Sequence, residues 1–547
     1  MLSEGILLNV FRHFMAATPR IWPILVWVCR KWRQIVFASP LGLNLRLHCT
    51  HRTPFLEALD LWPALPVIVE YGGVPNLDPP APEDDYDIIA ALKQSDRLSS
   101  ISLTVTSSLL EKLCAISEPL SELEELVLLS PGDVERTLPS TFRWGPRLRT
   151  LHSTRIVFPS LPSLLLPCQG LIDLLLHEIP SSGYFSPEAF TNALSGTPQL
   201  RSFTLHLLSF PRRRSYLSLP PPPGERIVLA ALTRLKYRGT SKYLDSFVGR
   251  IDAPRLGDIS ITLFSQPTMD ALQLSQFIQR AEIHTSLSHA EVETSVHAIS
   301  ISFTSSDVST HFRLQISCKQ LDWQLSCMAQ ICDRISPFLS YVGDLGINTA
   351  QPPDERDGVG GEQWLDLLRS FKFGAAESFK VNGELTAGIL CALGAANEGS
   401  TTMLPSLRQV HLKELTTMDG PSWDSVQSFI TSRWTSGRPI EVNAPSYQCH
   451  ICKDRVKEQQ IFKLHLGYKH GYRIFCSYCG EFKYTPGKKN LFREHLGSKH
   501  PEIAHNDALI SISSLSENQL IELLGRHSSL HPPEVVPPTS EDGVQGT

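Results

Sequence analysis

Between Leu98 and Leu412 the chain returns eleven times to one pattern: an apolar residue, two arbitrary residues, an apolar residue, one arbitrary residue and a third apolar residue. Copies start at Leu98, Leu123, Leu171, Leu200, Leu232, Leu256, Val296, Val342, Ala376 and Leu407, and a degraded copy, Leu148-Arg-Thr-Leu151, lies between the second and third. From 98 to 256 the starts are 25, 25, 23, 29, 32 and 24 residues apart, and the later gaps stretch to 40 and 46. A unit this short buries its leucines only by stacking on its neighbours. The pattern therefore predicts an α/β chain in which each copy adds one strand to a parallel sheet of an irregular solenoid. LGLNLRL and LPVIVEY (Leu65 to Tyr71) read as two earlier rungs.

Side chains alternate across a strand, so the template also predicts which residues turn away from the leucines. Ser100, Ser102, Glu125, Val127, Thr150, His152, Asp173, Leu175, Ser202 and Thr204 belong to that face, followed by Arg234, Lys236 and Arg238 and then Asp258, Ser260 and Thr262. The face is small and polar with one cationic rung, which suits an extended protein segment with one acidic contact. Arg234, Lys236 and Arg238 are the candidate target-binding anchor; solvated charge without a partner is the alternative. The repeat resembles the leucine-rich repeat family, which implies that this face is concave and holds a protein target.

The first fifty residues read differently. In LSEGILLNVFRHF, Leu2, Ile6, Leu7, Val10, Phe11 and Phe14 form one stripe of an amphipathic helix, and a second apolar stretch runs from Trp22 to Phe37. So few helices need a partner or the next domain to cover them. Leu-x-Glu-x-Ile-Leu-x-x-Val-Phe followed by Val28-Cys29-Arg30-Lys31-Trp32-Arg33 resembles the F-box family, with Ser3 where the family has proline. The resemblance implies docking on a Skp-type adaptor of a cullin–RING ubiquitin ligase through Leu2, Ile6, Leu7, Val10, Phe11, Val28 and Trp32. A helical cap on the following domain is the alternative.

Near the other end, Cys449-x2-Cys452-x12-His465-x4-His470 and Cys476-x2-Cys479-x15-His495-x4-His500 each offer two thiolates and two imidazoles. Zinc takes four such donors in a tetrahedron, so the spacing predicts two Zn²⁺ ions. Phe462 and Phe492 stand three residues before the first histidine of each set, where a small finger needs an apolar side chain. The segment resembles the Cys2His2 finger family. In that family bases are touched from three helix positions, occupied here by Glu458, Ile461 and Leu464, then by Lys488, Leu491 and Glu494. Only Lys488 has a common base-edge role, and the five-residue linker GYRIF is short. A protein-binding or structural finger pair is the expectation, with non-specific nucleic-acid contact as the alternative.

Charge is segregated in the same way. The net charge is −5, yet 447–500 holds 11 Lys/Arg against 4 Asp/Glu, an excess of +7 that leaves −12 on the rest. Polyanion affinity is therefore expected in the finger segment alone. The other eight cysteines are scattered among apolar residues, which points to a reducing compartment, cytoplasmic or nuclear. MLSEGILLNVFRHF has no basic n-region, and no apolar run approaches about 20 residues, so neither a signal peptide nor a membrane span is expected. GGVPNLDPPAPEDDYD and PRRRSYLSLPPPPGE read as surface loops, and HPPEVVPPTSEDGVQGT as a disordered tail. No Walker-type loop, Gly-x-Ser-x-Gly or His-Glu-x-x-His is present.

The expected domains are a helical head (1–45), a repeat array (46–440), two zinc fingers (446–505) and a short helix with an acidic Pro-rich tail (506–547). By resemblance this is a non-enzymatic subunit that recruits a protein target to a ubiquitin ligase, with the fingers as an accessory binding module. The alternatives are a nucleic-acid-binding regulator, or a scaffold with a degenerate F-box.

Overall fold

The computed structural model describes residues 3–18, 22–40, 42–50, 65–72, 85–114, 118–132, 135–138, 142–208, 226–264, 271–281, 287–305, 310–318, 320–339, 341–349, 361–370, 373–382, 389, 392–393, 404–413, 429–430, 433, 438, 440–443, 447–448, 455–456, 473–476, 483–484 and 528–531. The protein is mixed α/β with a large, mostly parallel sheet. It divides into two compact units, Met1–Val342 with Asp366–Lys372, and Gly343–Leu365 with Phe373–Thr547.

In the first unit the strands follow chain order: β1 (Leu47–Cys49), β2 (Val67–Tyr71), β3 (Leu98–Thr104), β4 (Glu125–Leu129), β5 (Thr150–Thr154), β6 (Asp173–Ile179), β7 (Ser202–Leu207), β8 (Arg234–Gly239) and β9 (Asp258–Phe264). Each is parallel to the next. The hydrogen-bonded string starts one residue after the first leucine of each repeat. The Ser99 carbonyl accepts from Glu124, Glu124 from Arg149 and Arg149 from Ile172; Ile172 then accepts from Arg201 and Arg201 from Thr233. The backbone of one repeat thus sets the register of the next.

The template leucines fill the core in columns. Ile101, Leu126, Leu151, Leu174, Phe203, Leu235 and Ile259 are aligned across neighbouring strands and buried. Each such side chain contributes about 1.5–3 kcal/mol relative to exposure. The adjacent column runs Leu103, Leu128, Ser153, Leu176, Leu205, Tyr237 and Ile261. Ser153 is fully buried in it, and its hydroxyl has no hydrogen-bond partner. The degraded copy at Leu148 is therefore a complete rung with one small polar residue in a leucine position.

Connecting helices cover the leucine face. Ser186 caps the helix Pro187–Leu194 by accepting from the Ala189 amide at 3.1 Å, with Pro187 at its start, and Thr240 caps Ser241–Val248 through the Tyr243 amide. Phe190 and Phe247 of these helices meet Phe203 of β7 with ring centroids 5.6 Å apart, and Tyr243 stacks on Tyr237. Burying each apolar face requires this second layer.

One rung departs from the expected parallel order. Val296-x-x-Ile299-x-Ile301 is not a parallel addition after β9. The chain runs up β10 (Leu287–Ser295), turns at Val296 and His297, and returns antiparallel as β11 (Ala298–Ser305). The Ser295 hydroxyl donates to the Ala298 carbonyl and accepts from its amide, which fastens that turn. The strand parallel to β9 is β12 (His311–Ser317), which pairs antiparallel with β11. Phe312, Leu314 and Ile316 supply its core column, but polar Ser309 stands where the template needs its first apolar residue. The meander, 287–317, thus straddles the 40- and 46-residue gaps.

In the second unit, β13 (Asp344–Thr349), β14 (Ser378–Asn382), β15 (Gln409–Lys413) and β16 (Glu441–Asn443) again pair in parallel and in order. The same string recurs there: Gly343 accepts from Glu377, Glu377 from Arg408 and Arg408 from Glu441.

Candidate functional site

Three helices form the head: α1 (Glu4–Ala17), α2 (Pro23–Val28) and α3 (Arg30–Ala38). Leu7, Phe11 and Met15 at i, i+4 and i+8 turn α1 inward, and Trp22, Leu25, Val26, Ile35 and Val36 are buried as well. The Trp22 indole donates to the Arg46 carbonyl at 2.8 Å, tying the head to the approach to β1. Trp32 lies edge-on to Phe11 at 4.8 Å. Of the seven expected adaptor contacts, Leu7 and Phe11 are therefore buried and Trp32 is half-buried as a packing residue. Ile6, Val10 and Val28 are exposed, and Leu2 lies outside the described residues.

Exposure adds two residues that the sequence reading missed. Ile24 is 49% exposed and Trp27 is 71% exposed, beside Val28. They share one face of α2 at i, i+3 and i+4, as Ile6 and Val10 share one face of α1. No signal in PILVWV separated them, because every residue of that helix is apolar.

The second candidate surface is the polar face of the sheet. Its first column runs Ser100, Glu125, Thr150, Asp173, Ser202, Arg234, Asp258 and His311. The second runs Ser102, Val127, His152, Leu175, Thr204, Lys236, Ser260 and Arg313. Beside them, His206 aligns with Arg238, and Arg238 with Thr262. The three expected anchors are therefore on one strand, all exposed, and the structure distinguishes them. Arg234 Nε is 3.2 Å from Asp258, which also meets His311 at 3.3 Å. Arg238 lies over the Phe264 ring at 6.0 Å. Lys236 has no ion pair among the described residues.

Histidines and carboxylates complete this face. His152 Nε2 is 3.1 Å from Asp173, and that hydrogen bond, with help from Ser202 and the charges of His152 and Arg234, holds the Asp173 carboxyl below its usual range against partial burial. His206 packs on His177 with centroids 4.8 Å apart. Burial, then the charges of His177, Arg238 and Lys236, push His206 down to about 4, so it is neutral at neutral pH. The thiols of Cys168 and Cys332 are pushed up by burial, which keeps them protonated.

The finger segment is described only in part. Tyr447–Gln448 pairs antiparallel with Arg455–Val456, and Arg473–Cys476 with Lys483–Tyr484. The first hairpin thus brackets Cys449 and Cys452 in the chain, and the second carries Cys476 and brackets Cys479. Antiparallel strands on either side of a Cys-x-x-Cys pair suit the thiolate half of the donor set that zinc requires. Of the eight expected ligands Cys476 is described, and the other seven, Cys449, Cys452, His465, His470, Cys479, His495 and His500, lie outside the described residues. Among the described residues no helix is long and apolar enough to cross a membrane. No protein-family model matches the chain, and no curated protein matches its sequence.

Proposed function

We propose that the chain is a non-catalytic recruiting subunit: the head docks on a Skp-type adaptor of a cullin–RING ubiquitin ligase, and the polar face of the sheet holds the protein target. The observation that carries this reading is the exposed apolar pair of stripes on the head, Ile6 with Val10 and Ile24 with Trp27 and Val28. Apolar side chains that a small helical unit leaves uncovered mark a docking site, and Trp is the residue type most often found at the energetic centre of one. The F-box-like VCRKWR directly follows Trp27. Within this reading Leu7 and Phe11 build the head, and the exposed side chains meet the adaptor.

The parallel ladder in chain order supports a leucine-rich-repeat-like array, and its polar face offers hydrogen-bonding side chains to an extended protein segment. The two hairpins around Cys-x-x-Cys support a pair of zinc fingers, each ion held by two thiolates and two imidazoles. Zinc there is structural, because four protein donors leave no open position. Transfer chemistry belongs to the partners. Capture of a purified Skp-type adaptor by the full chain, with Trp27→Ala and Ile6→Asp beside it, tests the proposal.

A further inference from the structure

The polar face carries two unlike neighbourhoods at a fixed spacing. On β4 and β6, Val127 and Leu175 are half-buried apolar residues in the second column, two strands apart. Two strands beyond Leu175 in the same column stands Lys236, with small Thr204 between them. Arg238 is the next residue on that side of β8. Arg234 is already held by Asp258, and Arg313 by Glu293 at 3.0 Å, so among the described cations on this side of β3 to β9 and β12, Lys236 and Arg238 are the ones presented to a ligand.

Resting on the target-binding role proposed above, we infer that this face takes a polypeptide in polyproline-II conformation lying across the strands, with an apolar side chain against Leu175 and a carboxylate, three residues further on, against Lys236 and Arg238. Strand spacing sets the interval. Two steps of about 4.8 Å give roughly 10 Å, which one polyproline-II turn of three residues spans at about 3.1 Å each while returning the side chain to the same side. Charge selects the anion. Asp173 and Asp258 occupy the adjoining column on β6 and β9 and repel a second negative charge, so the face suits one isolated carboxylate rather than a polyanion. Arg238, already oriented by the Phe264 ring, supplies the fork that matches a carboxylate.

The test presents the full chain with synthetic peptide libraries of the form Leu-x-x-Asp, Leu-x-x-Lys and Leu-Asp, x being Ser, Thr, Gln or Ala. The expected result is about tenfold preference for Leu-x-x-Asp over the other two, the size of effect one close charge pair produces. The double substitution Lys236→Glu, Arg238→Glu should reverse the preference toward Leu-x-x-Lys, which an unfolded variant cannot do. Leu175→Ser should weaken binding without changing the charge preference. Binding without spacing preference, a preference unchanged by charge reversal, or stronger binding of phosphoserine or of single-stranded DNA at this face would overturn the inference. Adaptor capture by the same proteins separates the two proposals: capture without peptide selection overturns this one alone.

Discussion

Arg234 and Asp258 face one another across adjacent parallel strands, Nε to Oδ2 at 3.2 Å, with the arginine side chain 54% exposed. An ion pair that wet contributes about 0–1 kcal/mol to folding, so its main effect is to neutralise one cation of the β8 rung. Asp258→Ala should leave the unfolding midpoint within about 1 kcal/mol of wild type and strengthen binding of Leu-x-x-Asp peptides several-fold, because Arg234 joins Lys236 and Arg238. Fluorescence anisotropy at two salt concentrations checks this, since the gain should shrink as salt rises.

Ser153 places a hydroxyl without a partner in a column of Leu128 and Leu176. An unsatisfied buried hydroxyl costs about 1–3 kcal/mol. Ser153→Ala should therefore raise stability or leave it unchanged, whereas Leu128→Ala should lose about 2–5 kcal/mol to the cavity it opens. Urea unfolding of the three proteins orders them.

Two groups on the polar face make stability depend on pH in separate windows. His206 is held at about 4 when folded, below the ordinary value near 6.5, so the unfolded chain binds the extra proton. Its contribution is complete above about pH 6.5 and is lost as pH falls toward 4. Asp173 is depressed as a carboxylate, so its contribution is present above about pH 4 and disappears below it, as pH passes the folded value. His206→Gln should flatten the upper window and Asp173→Asn the lower one in unfolding curves taken from pH 7 to pH 3.

The finger segment should hold two Zn²⁺ per chain by native mass spectrometry. Cys449→Ser and Cys476→Ser should each remove one ion, and a chelator both. Because metal binding contributes on the order of 10–16 kcal/mol to folds of this size, removal should also expose 447–500 to protease.

Repetition made the sheet legible. Phe203 and Leu205, or Leu235 and Tyr237, alternate with polar residues after a spaced leucine, and only a strand buries that set on one side. The meander was not legible, because Ile299 and Ile301 fit the template equally well in an antiparallel strand; the reversal depends on the Ser295–Ala298 turn. Polar Ser309 hid the strand of Phe312, Leu314 and Ile316. In the head, periodicity showed that α1 is amphipathic but could not assign Leu7 inward and Ile6 outward, one residue apart. The cationic rung was readable in Arg234, Lys236 and Arg238, but not the difference among them, which comes from Asp258 and Phe264 on the next strand.

Adaptor capture by the head tests the central claim most directly. The full chain should retain a purified Skp-type adaptor. Trp27→Ala should weaken that retention by about 30-fold, the effect of losing a residue worth about 2 kcal/mol at an interface. Ile6→Asp with Val10→Asp should abolish it, with the circular dichroism of both variants unchanged because all three side chains are exposed. Failure of the folded wild-type chain to retain the adaptor, or undiminished retention by the Ile6→Asp, Val10→Asp variant, would contradict the account.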